Sequence, residues 1–125
     1  WDSMENCFRF IEKNNVYAIV LKEQAFIQQA KEYIAKNYEK NISLTDISEH
    51  VYLNPSYFSR IFKQQCGINV VDYVNKVRVD VAKELLRNTN MKIVDVAEKV
   101  GFNSSGYFSN VFRRYTGGNP KDYRN

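Results

Sequence analysis

The sequence predicts an all-α fold of about seven helices, in which two helix-turn-helix units are joined by a long linker helix. The main observation is an internal repeat, because residues 46–54 recur 49 positions later as residues 95–103. After a one-residue insertion the offset becomes 50. Aromatic, serine and glycine positions then match in one register: Tyr57, Phe58, Ser59, Phe62 and Gly67 correspond to Tyr107, Phe108, Ser109, Phe112 and Gly117. Two copies are too few for a solenoid, so they indicate one small binding unit that is present twice.

The first unit, at about residues 43–67, is predicted to be a helix, a turn and a second helix. Residues 43–46 have the spacing of a capping box, with serine as the cap and aspartate three residues later. Asn54 followed by Pro55 is typical of the next helix start, where proline takes the first helical position. Gly67 is expected to end that helix in the left-handed conformation.

The second unit, at about residues 92–117, repeats this pattern with Asn103 as the predicted N-cap and Gly117 as the last turn residue. Between the units, residues 70–88 are predicted to form one linker helix of about 18 residues, roughly 27 Å long. Its apolar residues recur at steps of three and four: Val70, Val74, Val77, Val81 and Leu85.

The chain before the first unit divides into two parts. Residues 23–125 are assigned to the two-unit domain, whose first helix is marked by apolar residues at helical spacing: Ile27, Ala30, Ile34 and Tyr38. Residues 1–22 are interpreted as a connector or the tail of an upstream domain. Within them, residues 16–21 fit either a strand or the start of a helix.

Composition excludes several function classes. One histidine, His50, and two distant cysteines, Cys7 and Cys66, make a metal site unexpected and favour a reducing compartment, the cytoplasm. No apolar run approaches the roughly 20 residues that cross a bilayer, so this segment is not expected to contact a membrane. No glycine-rich phosphate loop or nucleophile elbow is present, so neither a cofactor nor an enzymatic activity is expected.

Charge is distributed unevenly along the chain. Residues 1–53 contain six Lys or Arg and eight Asp or Glu, whereas residues 54–125 contain twelve and six. The second part therefore has a net charge of +6, and such an excess attracts phosphate backbones. A solvated basic surface would give the same count of charges. The positions of the basic residues in the fold must therefore distinguish nucleic-acid binding from a solvated surface.

A helix-turn-helix inserts its second helix into the major groove of DNA. In the first unit, the face opposite the apolar residues of that helix carries Ser56, Ser59, Arg60 and Lys63. Arg60 is expected to read a base, because arginine can bond guanine through two hydrogen bonds, and the two serines can reach base edges. Lys63 lies nearer the end of the helix and is expected to contact phosphate.

In the second unit, the base-reading face is predicted to consist of small polar residues: Ser105, Gly106, Ser109 and Asn110. Asn110 takes the place of Arg60, and asparagine suits adenine. Arg113 and Arg114 are candidates for phosphate contacts. For Tyr57 and Tyr107, packing and hydrogen bonding to phosphate both remain open.

A linker helix could hold the reading helices about one DNA turn apart, roughly 34 Å, so that a single chain reads two successive grooves of double-stranded DNA. A rigid linker would require the DNA to bend, at a cost of a few kcal/mol.

Two other interpretations are weaker. A DNA-repair methyltransferase can carry such a domain, but its reactive cysteine needs an activating setting, and Cys66 stands beside a helix-ending glycine. A protein-interaction module would need an apolar or acidic face around Arg60 and Asn110, and that face is small, polar and basic.

Several segments together resemble the DNA-binding domain of the AraC/XylS family: residues 41–48, 57–63, 77–78, 82–86, 93–97, 100–102 and 107–117, with Pro120 and residues 123–124. The resemblance covers about residues 23–125. It implies seven helices, promoter binding that usually activates transcription, contact with RNA polymerase, and a sensor or receiver domain elsewhere in the protein. It also places base reading on the seven positions named above. Gly106 departs from the family, which often has a polar residue there, and residues 117–120 replace a more usual Gly-x-Ser-Pro ending.

Overall fold

The structure is a computed structural model that describes the backbone of residues 2–124 and the side chains of residues 16–124. This part of the chain contains no strand and forms seven α-helices: α1 Asp2–Asn37, α2 Leu44–His50, α3 Pro55–Cys66, α4 Val70–Asn88, α5 Ile93–Lys99, α6 Ser105–Thr116 and α7 Pro120–Tyr123. Helices α2 and α3 form the first helix-turn-helix unit, and α5 and α6 form the second. The predicted all-α fold, with two such units joined by a long helix, is confirmed.

Local capping determines where most of the short helices begin and end. The predicted capping box at the start of α2 is present, with Ser43 and Asp46 each accepting a backbone N–H of the other. Asn54 caps α3 by accepting from two backbone N–H groups, and Pro55 occupies the first turn. Gly67 and its counterpart Gly117 both end their helices with φ 80°, a left-handed conformation that costs glycine little.

The predicted N-cap of α6 is wrong by one residue. The cap is Ser104, whose Oγ accepts a hydrogen bond from the N–H of Tyr107 at 3.0 Å, and not Asn103. The offset of 50 that relates α3 to α6 aligns Asn54 with Ser104, whereas the offset of 49 belongs to the preceding helices. The extra residue therefore lengthens the turn, and the cap stays with the helix that it begins.

The chain builds two hydrophobic cores, one for each unit. The first is formed by α1, α2, α3 and the start of α4: Ile27, Ala30, Ile34, Ile47, Val51, Phe58, Ile61, Phe62, Val70 and Val74. The second is formed by the rest of α4 with α5, α6 and the turn between them: Val79, Ala82, Leu86, Val96, Ala97, Val100, Phe102, Phe108, Val111 and Phe112. Each contains a tilted phenylalanine pair, with ring centroids 5.7 Å apart in the first core and 5.6 Å apart in the second. The phenylalanines that recur in the repeat therefore occupy equivalent positions in the two cores.

Helix α4 turns a different face to each core. The predicted helix is present, and its apolar stripe includes the buried Val70 and Val74. The fully buried apolar residues of the second half are Val79, Ala82 and Leu86. The remaining stripe residues, Val77, Val81 and Leu85, are only half-buried. At about 100° per residue, the two buried faces point about 130° apart, so a single stripe could not serve both cores.

Helix α1 runs without a break through the predicted boundary between residues 22 and 23. Of the two interpretations of residues 16–21, the helix is right, and their large apolar side chains are exposed: Val16, Tyr17, Ile19, Val20 and Leu21. The side chains of residues 1–15, which include Cys7, lie outside the described residues. Although α1 has 36 residues, none of the helices in the described part combines the length and apolar character that a bilayer-spanning segment requires.

Candidate nucleic-acid interface

The second helices of the two units share an electrostatic feature that the other short helices lack. Helices α2, α4, α5 and α7 each carry an aspartate in the first turn, whereas α3 and α6 carry no acidic residue. An acid in the first turn neutralises the positive end of the helix dipole. The starts of α3 and α6 therefore keep a positive potential that favours an anion such as phosphate.

Helix α3 separates its residues onto two faces. Phe58, Ile61 and Phe62 are fully buried in the first core. On the other side, Ser56, Arg60 and Lys63 are exposed and Ser59 is partly exposed, as predicted for a reading face. The four polar residues follow one another at steps of three and one, so they form one strip along the helix.

Tyr57 is tied to α1 rather than free at the surface. Its hydroxyl donates to Oε1 of Glu23 at 2.8 Å, and this hydrogen bond raises the pKa of Tyr57 above its ordinary value. The guanidinium of Arg60 lies over the Tyr57 ring, with Cζ 5.2 Å from the centroid, which is a cation–π distance. The proton of Tyr57 is therefore already donated within the protein, and its ring supports the predicted base reader.

Helix α6 presents the corresponding strip. Ser105, Gly106, Asn110, Arg113 and Arg114 are exposed and Ser109 is partly exposed. A Cβ added at Gly106 would meet only the Oγ of Ser104, at 3.8 Å. The fold therefore has room for a side chain at position 106. Glycine leaves this point of the exposed strip without a side chain.

Tyr107 is held differently from its counterpart in the first unit. It is 50% exposed, its ring packs edge-on against Phe102, and its hydroxyl accepts a hydrogen bond from Nδ2 of Asn75 at 3.2 Å. Because the hydroxyl accepts this bond, its own proton can still be donated. The two predicted phosphate tyrosines are therefore not equivalent.

The basic residues of the candidate interface have no acidic partner among the described side chains. The one ion pair found among those side chains joins Lys83 to Asp80, within α4. Arg113 donates from Nε to the side-chain oxygen of Asn119 at 3.1 Å, and Arg114 lies over the ring of Tyr115. The positive charges of α3 and α6 are thus not neutralised by ion pairing within this part of the chain.

The sequence did not assign a role to three residues that support this interface. Glu23 holds Tyr57, Asn75 bonds Tyr107 from a 3% exposed position on α4, and Arg78 bonds the segment that follows α1. Each acts through a contact more than 30 positions away in the chain, and no spacing pattern points to it. Among the described residues, no group of three or more His, Cys, Asp or Glu side chains could hold a metal ion.

Two helix-turn-helix units on one long helix, each with a capped, basic second helix, define a DNA-binding domain with two reading helices. A family model described as a helix-turn-helix domain matches residues 47–125. The chain belongs to this family, the AraC-type helix-turn-helix proteins, which are DNA-binding transcription regulators and not a class of enzymes.

Similar proteins agree with this assignment. The arabinose operon regulatory protein of Escherichia coli K12 is 37% identical over 99 residues, which are 78% of this chain and 34% of that protein. The C-terminal domain of AraT, a response regulator from Geobacillus stearothermophilus, is 34% identical with a TM-score of 0.76, over 79% of this chain and 83% of the other. The AdpA DNA-binding domain, solved with a target DNA, shares the fold at 22% identity and a TM-score of 0.75, over 78% of this chain and 88% of the other. The chain spans about a third of the length of the curated relatives that it matches.

Proposed function

We propose that the chain binds double-stranded DNA in a sequence-specific manner, with α3 and α6 in successive major grooves. One observation carries this proposal: α3 and α6 stand on either side of the continuous helix α4 in the chain. Each has an N-cap, contains no acidic residue and exposes a polar and basic face. Spacing of about one DNA turn, roughly 34 Å, would place both helices on the same side of the duplex. The AdpA domain, which shares the fold, was solved in complex with a target DNA, and this supports DNA binding.

The proposed residue roles follow from exposure and chemistry. Arg60 reads guanine and Asn110 reads adenine, since their side chains can each form two hydrogen bonds with these bases. Ser56, Ser59, Ser105 and Ser109 contact base edges, and Gly106 allows close approach. The basic residues near the ends of the two helices contact phosphates: Lys63, Arg113 and Arg114. Tyr107 contacts phosphate as well. Tyr57 would contact phosphate only if its bond to Glu23 opened.

We further propose that the whole protein is a bacterial transcription regulator that activates promoters through RNA polymerase and acts in the cytoplasm, at the nucleoid. Residues 1–22 would connect a sensor or receiver domain to the DNA-binding domain of residues 23–125. The regulator relatives support the first point, and the response regulator AraT supports a receiver. The unbroken α1 supports a helical connector.

Binding to duplexes selected from random DNA tests the proposal. We expect the affinity to fall steeply between about 50 mM and 200 mM salt, because phosphate contacts release counterions. Arg60→Ala should weaken binding to the selected site by about 1–3 kcal/mol, with much less effect on unrelated duplexes.

Lys63→Ala, a basic residue on the same helix, is the matched control for base reading. It should weaken all sequences about equally and reduce the salt slope by about one. An equal loss on all sequences for Arg60→Ala would identify Arg60 as a phosphate contact. Binding that salt leaves unchanged would contradict DNA binding altogether and favour a protein-interaction module.

A further inference from the structure

Arg78 is on α4, on a face between the one that packs against the first core and the one that packs against the second. Val74, one turn earlier, faces the first core, and Val79, the next residue, faces the second. At about 100° per residue, the side chain of Arg78 points between these two directions. It is half-buried, and this burial lowers the pKa of its guanidinium from the ordinary value.

The guanidinium of Arg78 contacts the segment that follows α1, a helix of the first core, and the turn of the second unit. Nε donates to the carbonyl of Tyr38 at 2.7 Å, and Nη2 donates to the carbonyl of Lys40 at 2.8 Å. Its Cζ lies 5.6 Å from the ring centroid of Phe102, in the turn of the second unit. Charge-assisted hydrogen bonds are about twice as strong as neutral ones, and the planar guanidinium can bond and stack at once.

The segment that Arg78 holds is also in direct contact with the second unit. The side chain of Tyr38 packs against the second core, although its backbone follows the end of α1. Gly101, in the turn of the second unit, lies very close to this segment. A Cβ at position 101 would be 2.6 Å from the carbonyl oxygen of Tyr38 and 3.1 Å from Cα of Glu39. Residues 38–40 therefore contact the middle of α4 and the turn of the second unit directly after the end of α1.

We propose that Arg78 is a positioning residue for DNA binding, which holds the two units at one mutual orientation. It does so by bonding the carbonyls after α1 while stacking on Phe102 of the second unit. The consequence is a strict spacing requirement between the two half-sites, because the protein does not rotate one reading helix to follow a displaced half-site. This inference rests on the proposed function, in which α3 and α6 read one duplex together.

The test compares spacing tolerance in wild type and Arg78→Lys, which keeps the charge but cannot bond two carbonyls and stack. Duplexes selected with the wild type are altered by inserting or deleting one base pair between the half-sites. Each change rotates the half-sites by about 35°. We expect the wild type to lose more than about tenfold in affinity on the altered duplexes, and Arg78→Lys to lose less than about threefold relative to its own affinity for the parent site.

Arg87→Lys is the matched control. Arg87 is also on α4, but its guanidinium stacks on Tyr123 of α7, which packs against the second core only, so its substitution should keep the spacing profile of the wild type. Thermal unfolding of each variant checks the fold, and Arg78→Gln takes the place of Arg78→Lys if that variant does not unfold cooperatively. Loss of the fold in both would overturn the proposal, because Arg78 would then serve folding and not orientation.

The outcomes separate this inference from the function on which it rests. If the wild type selects no duplex, or a site with one half-site only, the proposed function fails. If the wild type selects two half-sites and Arg78→Lys weakens binding by one factor at every spacing, the positioning role is overturned and the proposed function stands.

Discussion

The backbone of Gly101 provides a demanding test of the contact between the two units. Gly101 has φ 105°, and an added Cβ would be 2.6 Å from the carbonyl oxygen of Tyr38. Gly67 and Gly117 also have positive φ, 80° each, but an added Cβ would meet nothing within 4 Å. A left-handed conformation costs a side-chain-bearing residue about 1–2 kcal/mol. At Gly101 the clash with backbone atoms adds about 1–3 kcal/mol, as overpacking typically does.

We therefore expect Gly101→Ala to lower the free energy of unfolding by about 2–5 kcal/mol, and the matched variants Gly67→Ala and Gly117→Ala to lower it by about 1–2 kcal/mol each. Urea titrations followed by circular dichroism measure all three, and the slope m shows whether the cooperativity of unfolding has changed. A loss for Gly101→Ala no larger than that for Gly67→Ala would refute the close approach of residues 38–39 to the second unit.

Five further substitutions test local features of the interface. Ser104→Ala should lower the free energy of unfolding by about 1 kcal/mol and Asn103→Ala by less than about 0.5 kcal/mol in urea titrations, and the reverse order would restore Asn103 as the cap. Tyr107→Phe should weaken binding to the selected duplex by about 1 kcal/mol, whereas Tyr57→Phe, whose hydroxyl proton is used inside the protein, should change the measured Kd by less than about twofold. Gly106→Ala should raise the free energy of unfolding by up to about 1 kcal/mol, since alanine favours the helix and its Cβ has room, and a loss in the same titration would contradict this.

The features that the sequence predicted correctly depend on neighbouring residues. The capping box at residues 43–46, the Asn54–Pro55 start of α3 and the left-handed glycines act within one turn of a helix. The repeat predicted the aromatic residues of the two cores correctly, because the same spacing buries equivalent side chains in each unit. Exposure of the predicted reading faces follows from the same pattern, because the residues that are not buried in an amphipathic helix remain at its surface.

The features that the sequence did not predict depend on contacts between distant segments. Periodicity predicted the helix α4 correctly, but it did not show that the most buried residues of its second half lie on another face, because the helix serves two cores and periodicity assumes one buried direction. The Arg78 contacts and the Gly101 approach join residues 38–40 to positions roughly 40 and 60 residues later, which no local pattern shows. The error in the cap of α6 has a local cause instead, because one inserted residue changes the register only within the turn.

A scan of base substitutions across the selected duplex, with Arg60→Ala and Asn110→Ala compared with the wild type, tests the central claim that one chain carries two separate base readers. Each variant should lose discrimination, by about 1–3 kcal/mol, at only one or two base pairs. The two groups of base pairs should lie about one helical turn apart, roughly 10 base pairs. Loss of discrimination by both variants at the same base pairs, or an equal loss of affinity at every position, would contradict the account.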